Sequence, residues 1–354
     1  MTHICIMTGA RPNFMKVAPL IRAINNNKEA DFVLVYAGRK DDPTLEPSLF
    51  ADLDMPSPSV FLNADAASLN ELTGQVMLAF DRYLDQHPTD VVIVVDDLAS
   101  TMATAIVTKK RGLRLAHLVA GTRSFDITMP KEVNRLVIDG LSDYLFTAGQ
   151  GGASIATREG AERERVFMVG NILIDNLRYL RPRLQRPDIA DTLGLKEEQY
   201  LVLTVNRRAL LADGEQLIRL VTAAKDAAEH YGIKMVAPLR GRAAEMLRSH
   251  VDVVEPLPYL QFGWLTTHAL GIITDSGNVA EEATFNGVPC ATLNSYTEHI
   301  ETVKQGSNLL VGQDVTQLTE AVERMCRHEW KTASLPAQWD GRTAERIVRT
   351  ILGH

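Results

Sequence analysis

The stretch TDSGNVAEEA, residues 274–283, decides how the chain reads. It follows the apolar run ALGIITD and passes from strand to helix within three residues. The strand ends at Asp275, and Ser276, Gly277 and Asn278 open the helix. Unpaired N–H groups at such an N-terminus, together with the helix dipole, make an anion site suited to a diphosphate. Glu281 and Glu282 lie one turn in, where a carboxylate could accept both hydroxyls of a ribose. The plainer alternative is an ordinary capped helix whose acids complement its dipole.

The same alternation of apolar run and helical stretch extends in both directions. HICIMT, DFVLVYA, DVVIVVD, LRLAHL, DYLFTA and RVFMVG fall in the first half, and YLVLTV, IKMVAP, VDVVEPL and VPCATL in the second. Continuous apolar runs suit strands buried on both faces, hence parallel sheets flanked by helices. The expected class is α/β, with two Rossmann-like doubly wound domains facing across a cleft. Residues 1–180 form the first domain, the polar segment 181–199 the linker, and 200–335 the second, nucleotide-binding domain. Residues 336–354 are expected to hold a C-terminal helix that crosses back to the first domain.

Composition narrows the function. The 354 residues are 45% hydrophobic and 23% charged, a soluble globular balance. No apolar run reaches the roughly 18 residues of a membrane span, and no secretory signal is read at the N-terminus. Cys5, Cys290 and Cys326 are widely spaced and expected as buried, reduced thiols, which points to the cytoplasm. The net charge of −7 without a basic cluster argues against a nucleic-acid surface. No histidine pair has metal-ligand spacing, so neither a metal nor a cofactor is expected.

Further polar groups punctuate the strand ends. In TGARPNFMKVAPL (8–20), Arg11 and Lys16 follow the first strand, with Pro12 at the helix start, as cleft cations or as a solvated turn. VVIVVDDLAST (91–101) sets Asp96 and Asp97 before a helix, as acid or base or as helix caps. VNRRA (205–209) places Arg207 at another strand end, and His117 reads as a satisfied core-edge histidine.

Taken in order, these segments resemble the UDP-N-acetylglucosamine 2-epimerase family, whose GT-B fold is shared with many glycosyltransferases. The similarity runs from TGARPNFMKVAPL through HLVAGTRSFDITMPKEVNRLVIDGLSDYLF and VGNILIDNL to TDSGNVAEEATFNGVPCATLNSYTEHIETVKQGSNLLVG. It implies interconversion of UDP-GlcNAc and UDP-ManNAc by elimination and re-addition of UDP, a place in polysaccharide biosynthesis, and a dimer. By position, Arg11, Lys16, Arg135, Ser276, Gly277 and Glu282 match the family's nucleotide contacts, with Asn278 in place of a second glycine. Asp97 matches its strand-end aspartate.

The chemical half departs from the family. Val119 stands where the family has a catalytic glutamate, Lys131 where it has a second acid, and Asn206 where it has a histidine. His299 replaces an arginine, and Arg39 and Lys40 replace a Gln-His pair. Each lost general acid or base lowers the rate by about a hundredfold to ten-thousandfold. Three readings follow: a UDP-sugar-binding member with an eroded site, as a homodimer or paired with an active homologue; a UDP-sugar enzyme of altered chemistry, such as a lyase, hydrolase or glycosyltransferase; or residual UDP-GlcNAc/UDP-ManNAc epimerisation. Lys131 is expected to pair with an acid, Asp97 being the best candidate.

Overall fold

The structure, a computed structural model, describes residues 1–353. The chain divides into two compact units, one of Met1–Tyr179 with the C-terminal stretch from Ala337, the other Leu180–Pro336.

The first unit holds β1 (Thr2–Thr8), β2 (Ala30–Tyr36), β3 (Val60–Phe61), β4 (Val91–Val95), β5 (Arg114–Leu118), β6 (Tyr144–Thr147) and β7 (Val166–Met168). They form one sheet in the order β3-β2-β1-β4-β5-β6-β7, parallel throughout. The second unit holds β8 (Tyr200–Thr204), β9 (Lys234–Pro238), β10 (Asp252–Val254), β11 (Gly271–Thr274), β12 (Cys290–Thr292) and β13 (Asn308–Leu310). Their order is β10-β9-β8-β11-β12-β13, again all parallel. Both domains are therefore doubly wound, as the apolar runs require.

Burial on two faces explains the strand sequences. All five residues of β4, VVIVV, are buried. Along β8, Leu201 and Leu203 pack into one apolar cluster while Tyr200 and Val202 pack into another. Successive side chains alternate between faces, so helices must cover both. Each order reverses once, between β1 and β4 and between β8 and β11. At such a point the helices depart to opposite faces and leave a crevice beyond the strand C-termini.

Residues 181–199 carry a turn at Arg181–Arg183 and a short helix, Asp188–Thr192, with Ala190 and Leu195 buried in the second unit's core. The final helix, Thr343–Leu352, packs on the helix Arg11–Asn25 of the first unit. Its buried Ile347, Val348 and Ile351 supply roughly 1.5–3 kcal/mol each. The buried Asp175 carboxylate accepts the amides of Thr343 (3.1 Å) and Ala344 (2.7 Å) at its start. Cys5 and Cys290 are buried free thiols, but Cys326 is only half-buried, on a helix edge the spacing did not reveal. Among the described residues no helix is long and apolar enough to cross a membrane.

Candidate functional site

The predicted site residues gather at the two reversal points, one group in each unit. In the first unit, the turn after β1 is built by Asn13, whose Oδ1 accepts from the amides of Gly9 (2.9 Å) and Ala10 (3.1 Å). Asn13 Nδ2 donates to Asp96 Oδ2 at 2.8 Å, and Lys16 Nζ donates to Asp96 Oδ1 at 2.5 Å. Lys16 is buried by this pairing rather than solvated. Arg11, at the first turn of the same helix, is half-buried, and its Nε finds no hydrogen bond among the described residues. Neither aspartate after β4 caps the next helix, whose N-cap is Leu98 without a side-chain bond.

Asp97 meets two cations. Arg135 donates to Oδ2 from Nε (2.8 Å) and Nη2 (2.6 Å), and Lys131 Nζ lies 3.4 Å from Oδ1. The pairing expected of Lys131 is thus present. Burial works against the charge on Asp97, but Lys131 and Arg135 outweigh it and hold the carboxyl below its ordinary range. Both cations stand on the helix Pro130–Leu141, four residues apart and hence on one face.

That helix carries two more acids that sequence reading left out. Glu132 accepts from Ser124 N, Ser124 Oγ and Phe125 N at 2.9–3.0 Å, and from Arg135 at 3.2 Å. Burial opposes its charge, yet these donors keep it below the usual glutamate value. Asp139 accepts from Gly121 N (3.1 Å), His117 Nδ1 (2.6 Å) and Arg123 (2.7 Å), and Arg123 continues to Glu159. Here too burial is overcome, by His117 and Arg123. His117 Nε2 faces the Asp96 carbonyl at 2.9 Å, so both ring nitrogens are engaged, as its core-edge reading expects. The spacing 132, 135, 139 on one helical face was the available signal.

Val119 occupies the loop after β5 at φ 72°, half-buried. A β-branched residue in this left-handed region is an outlier, because its Cβ crowds the following carbonyl. Gly121 follows at φ 74°, and a Cβ there would sit 2.2 Å from the Gly152 carbonyl oxygen. Only glycine fits that approach.

In the second unit, Asp275 directly follows β11 and accepts from the amides of Asn206 (2.8 Å) and Arg207 (2.7 Å), which follow β8. Thr204 and Thr274 join the same strand ends through their hydroxyls at 2.7 Å. The side chains of Asn206 and Arg207 are exposed. Ser276 caps the helix Gly277–Asn286 through Val279 N at 3.5 Å, so the plain capping role is present. A Cβ at Gly277 would come within 2.7 Å of the His299 ring, whose Nδ1 pairs with Glu281 Oε1 at 2.8 Å. Asn278 is half-buried and Glu282 buried on this helix. Burial first, and Glu281 second, push the Glu282 carboxyl up to about 8.

Arg39 and Lys40 line an open depression in the first unit with Asp41, Asn63 and Asp65. Arg39 is paired there with Asp41 at 2.7 Å and Asp65 at 3.4 Å. Among the described residues no group of acidic, histidine and cysteine side chains could hold a metal ion.

The model of the family described as UDP-N-acetylglucosamine 2-epimerase matches residues 22–352. The chain belongs to the UDP-N-acetylglucosamine 2-epimerase family. It is 31% identical to the UDP-N-acetylglucosamine 2-epimerase of Methanocaldococcus jannaschii, covering 98% of each chain. It is 29% identical to the UDP-2,3-diacetamido-2,3-dideoxy-D-glucuronate 2-epimerase of Pseudomonas aeruginosa, covering 90% of each. Its structure is similar to the crystal structure of the M. jannaschii UDP-GlcNAc 2-epimerase in complex with UDP-GlcNAc and UDP, with a TM-score of 0.87, 30% identity and complete coverage of both chains. The two-domain class is therefore the GT-B-like fold of these epimerases.

Proposed function

We propose that this family member binds UDP or a UDP-sugar and does not epimerise UDP-GlcNAc at an ordinary enzymatic rate. Its nucleotide contacts are Arg11, Lys16, Arg135, Arg207, Ser276, Gly277, Asn278 and Glu282. The M. jannaschii relative, solved with UDP-GlcNAc and UDP, supports the ligand class. So does the capped helix after β11, whose first-turn amides suit a diphosphate.

The observation that carries the second half of the proposal is the state of Asp97. Epimerisation by elimination removes a weakly acidic C2 proton and stabilises the departing diphosphate. Asp97, the one acid of the family pattern retained at this position, is held between Arg135 and Lys131. Val119 cannot titrate, and Asn206 cannot shuttle a proton as an imidazole does. Glu132, Asp139 and His117 are each committed to internal partners. Each of these groups thus already engages a cation or a hydrogen-bond partner of the first unit. Such a protein would serve as the binding partner of an active homologue, or in a homodimer.

A second reading, a working epimerase with other proton carriers, draws on the relatives that carry that name. One experiment separates the two. Purified protein and UDP-GlcNAc in deuterated water are followed by NMR beside an intact homologue. We expect calorimetric binding of UDP, no deuterium at C2 and no UDP-ManNAc. Restoring Val119→Glu, Lys131→Glu and Asn206→His together should recover exchange. Appreciable exchange by the unaltered protein would sink the proposal, and absence of heat with any uridine nucleotide would sink the ligand class.

A further inference from the structure

Two adjacent acids follow β4, and each takes up positive charge of the first unit. Asp97 meets Arg135 and Lys131, and Asp96 meets Lys16. Of the first-unit cations assigned to the nucleotide, Arg135 and Lys16 are thus taken, while Arg11 meets no carboxylate among the described residues. The Lys16 and Asp96 side chains are 8% and 17% exposed, with Nζ 2.5 Å from Oδ1. Other donors of the turn after β1 also end inside it. The Gly9 and Ala10 amides donate to Asn13 Oδ1, and Asn13 Nδ2 donates to Asp96 Oδ2. We propose that Asp96 competes with the nucleotide from within the protein: its carboxylate takes up the Lys16 charge that a phosphate would otherwise meet, and so holds UDP affinity below what the site can reach.

The main chain at Asp96 is fixed without its carboxylate. Its amide donates to the Leu118 carbonyl at 3.3 Å, and its own carbonyl faces His117 Nε2 at 2.9 Å. Both contacts run to β5, the neighbour of β4 in the sheet. The residue sits at φ 59°, which asparagine and glycine adopt at least as readily as aspartate. The side chain can therefore be changed while the loop keeps its course. What changes is the charge. The Lys16–Asp96 pair is close to neutral as met by a diphosphate, whereas Lys16 alone presents a full positive charge. One unit charge at contact range near a protein surface alters affinity by about tenfold or more.

The inference rests on the nucleotide reading above, and the test keeps the two apart. UDP affinity is measured by titration calorimetry at low salt, and the melting temperature by scanning calorimetry without ligand. Asp96→Asn should bind UDP about tenfold more tightly than the wild type. Its ligand-free melting temperature should nevertheless fall, because removing one partner of a buried pair leaves the other uncompensated. An aspartate that only held the turn together would move both quantities downward. Asp96→Asn combined with Lys16→Met removes both charges and should return to within about threefold of the wild-type affinity. Asp96→Gly, which suits the backbone without any side chain, should repeat the gain and covers the case in which asparagine does not fold. UDP binding by the wild type with no gain in either Asp96 variant would overturn the inference and leave the nucleotide reading standing. A double variant as tight as Asp96→Asn would overturn it too, since Lys16 would then not be the cation at stake. If no uridine nucleotide gives heat with wild type or variants, the nucleotide reading fails and the inference with it.

Discussion

Removing Arg135 should destabilise the first unit far more than removing Lys131, although both are cations on one carboxylate. Burial makes the difference. The side chains of Asp97 and Arg135 are 11% and 6% exposed, whereas that of Lys131 is 63% exposed. Arg135→Ala leaves the Asp97 and Glu132 carboxylates short of a buried partner, which costs about 3–5 kcal/mol. Lys131→Ala removes a solvent-screened contact worth about 0.2–1 kcal/mol. Urea unfolding measures both. In a Trp264→Phe, Trp330→Phe background the remaining Trp339 is buried in the first unit and reports on it alone. The pH dependence supplies a second check. The folded Asp97 carboxyl is held below its ordinary range. Its contribution is therefore complete above the unfolded value near ~3.9 and is lost as pH falls through the lower folded value. The deficit of Asp97→Asn should be full at pH 6 and shrink on acidification. A Lys131→Ala loss equal to that of Arg135→Ala, or an Asp97→Asn deficit unchanged down to about pH 2, would refute the reasoning.

Two further outcomes follow from the loops. Val119→Asn, scored by thermal unfolding, should leave stability unchanged or raise it despite the loss of apolar surface. Asparagine tolerates the left-handed region that costs valine about 1–2 kcal/mol or more, so a clear drop would show that the φ of 72° is not strained. Asp275→Ala should lose about 2–3 kcal/mol by orphaning the amides of Asn206 and Arg207, and it should weaken UDP binding by loosening that loop. Asp275→Asn, which keeps an acceptor oxygen, should recover part of both.

How far the sequence discloses this molecule depends on the range of the interaction. VVIVV reads as a strand because five consecutive apolar residues satisfy both faces of a sheet, and all five are buried. β3 does not read, since its two residues, Val60 and Phe61, are too few to make a pattern. The pairing of Lys131 with Asp97 was legible because a lysine that shares its helix with Arg135 must find negative charge nearby, and Asp97 is a strand-end aspartate. The Asp96 contact with Lys16 was not, since the partners lie 80 residues apart and only the β1–β4 adjacency unites them. For the same reason His117, Asp139, Arg123 and Glu159 were invisible as one network. Spacing along a helix finds Glu132, Arg135 and Asp139, but says nothing of what lies across the sheet edge.

The network also bears on how the loop that carries Val119 keeps its shape. The backbone at Val119 is unsuited to valine, yet the loop retains it. What imposes that shape lies outside the side chain. Asp139 draws in the Gly121 amide, His117 and Arg123 at once, and Gly121 backs against the Gly152 carbonyl. Nearer the start of the same helix, Glu132 gathers Ser124 and Phe125, and Asn134 Nδ2 donates to the Asp97 carbonyl at 2.8 Å. Strain of about 1–3 kcal/mol persists where surroundings over-determine a conformation in this way. The side chain at 119 can therefore be exchanged without moving the main chain that presents it. That independence makes the proposed Val119→Glu substitution a fair test of the chemistry rather than of the fold. If the proposed triple variant at Val119, Lys131 and Asn206 stays inert while it folds and binds UDP, the proposal must look beyond those three side chains, with His299, Arg39 and Lys40 next in line.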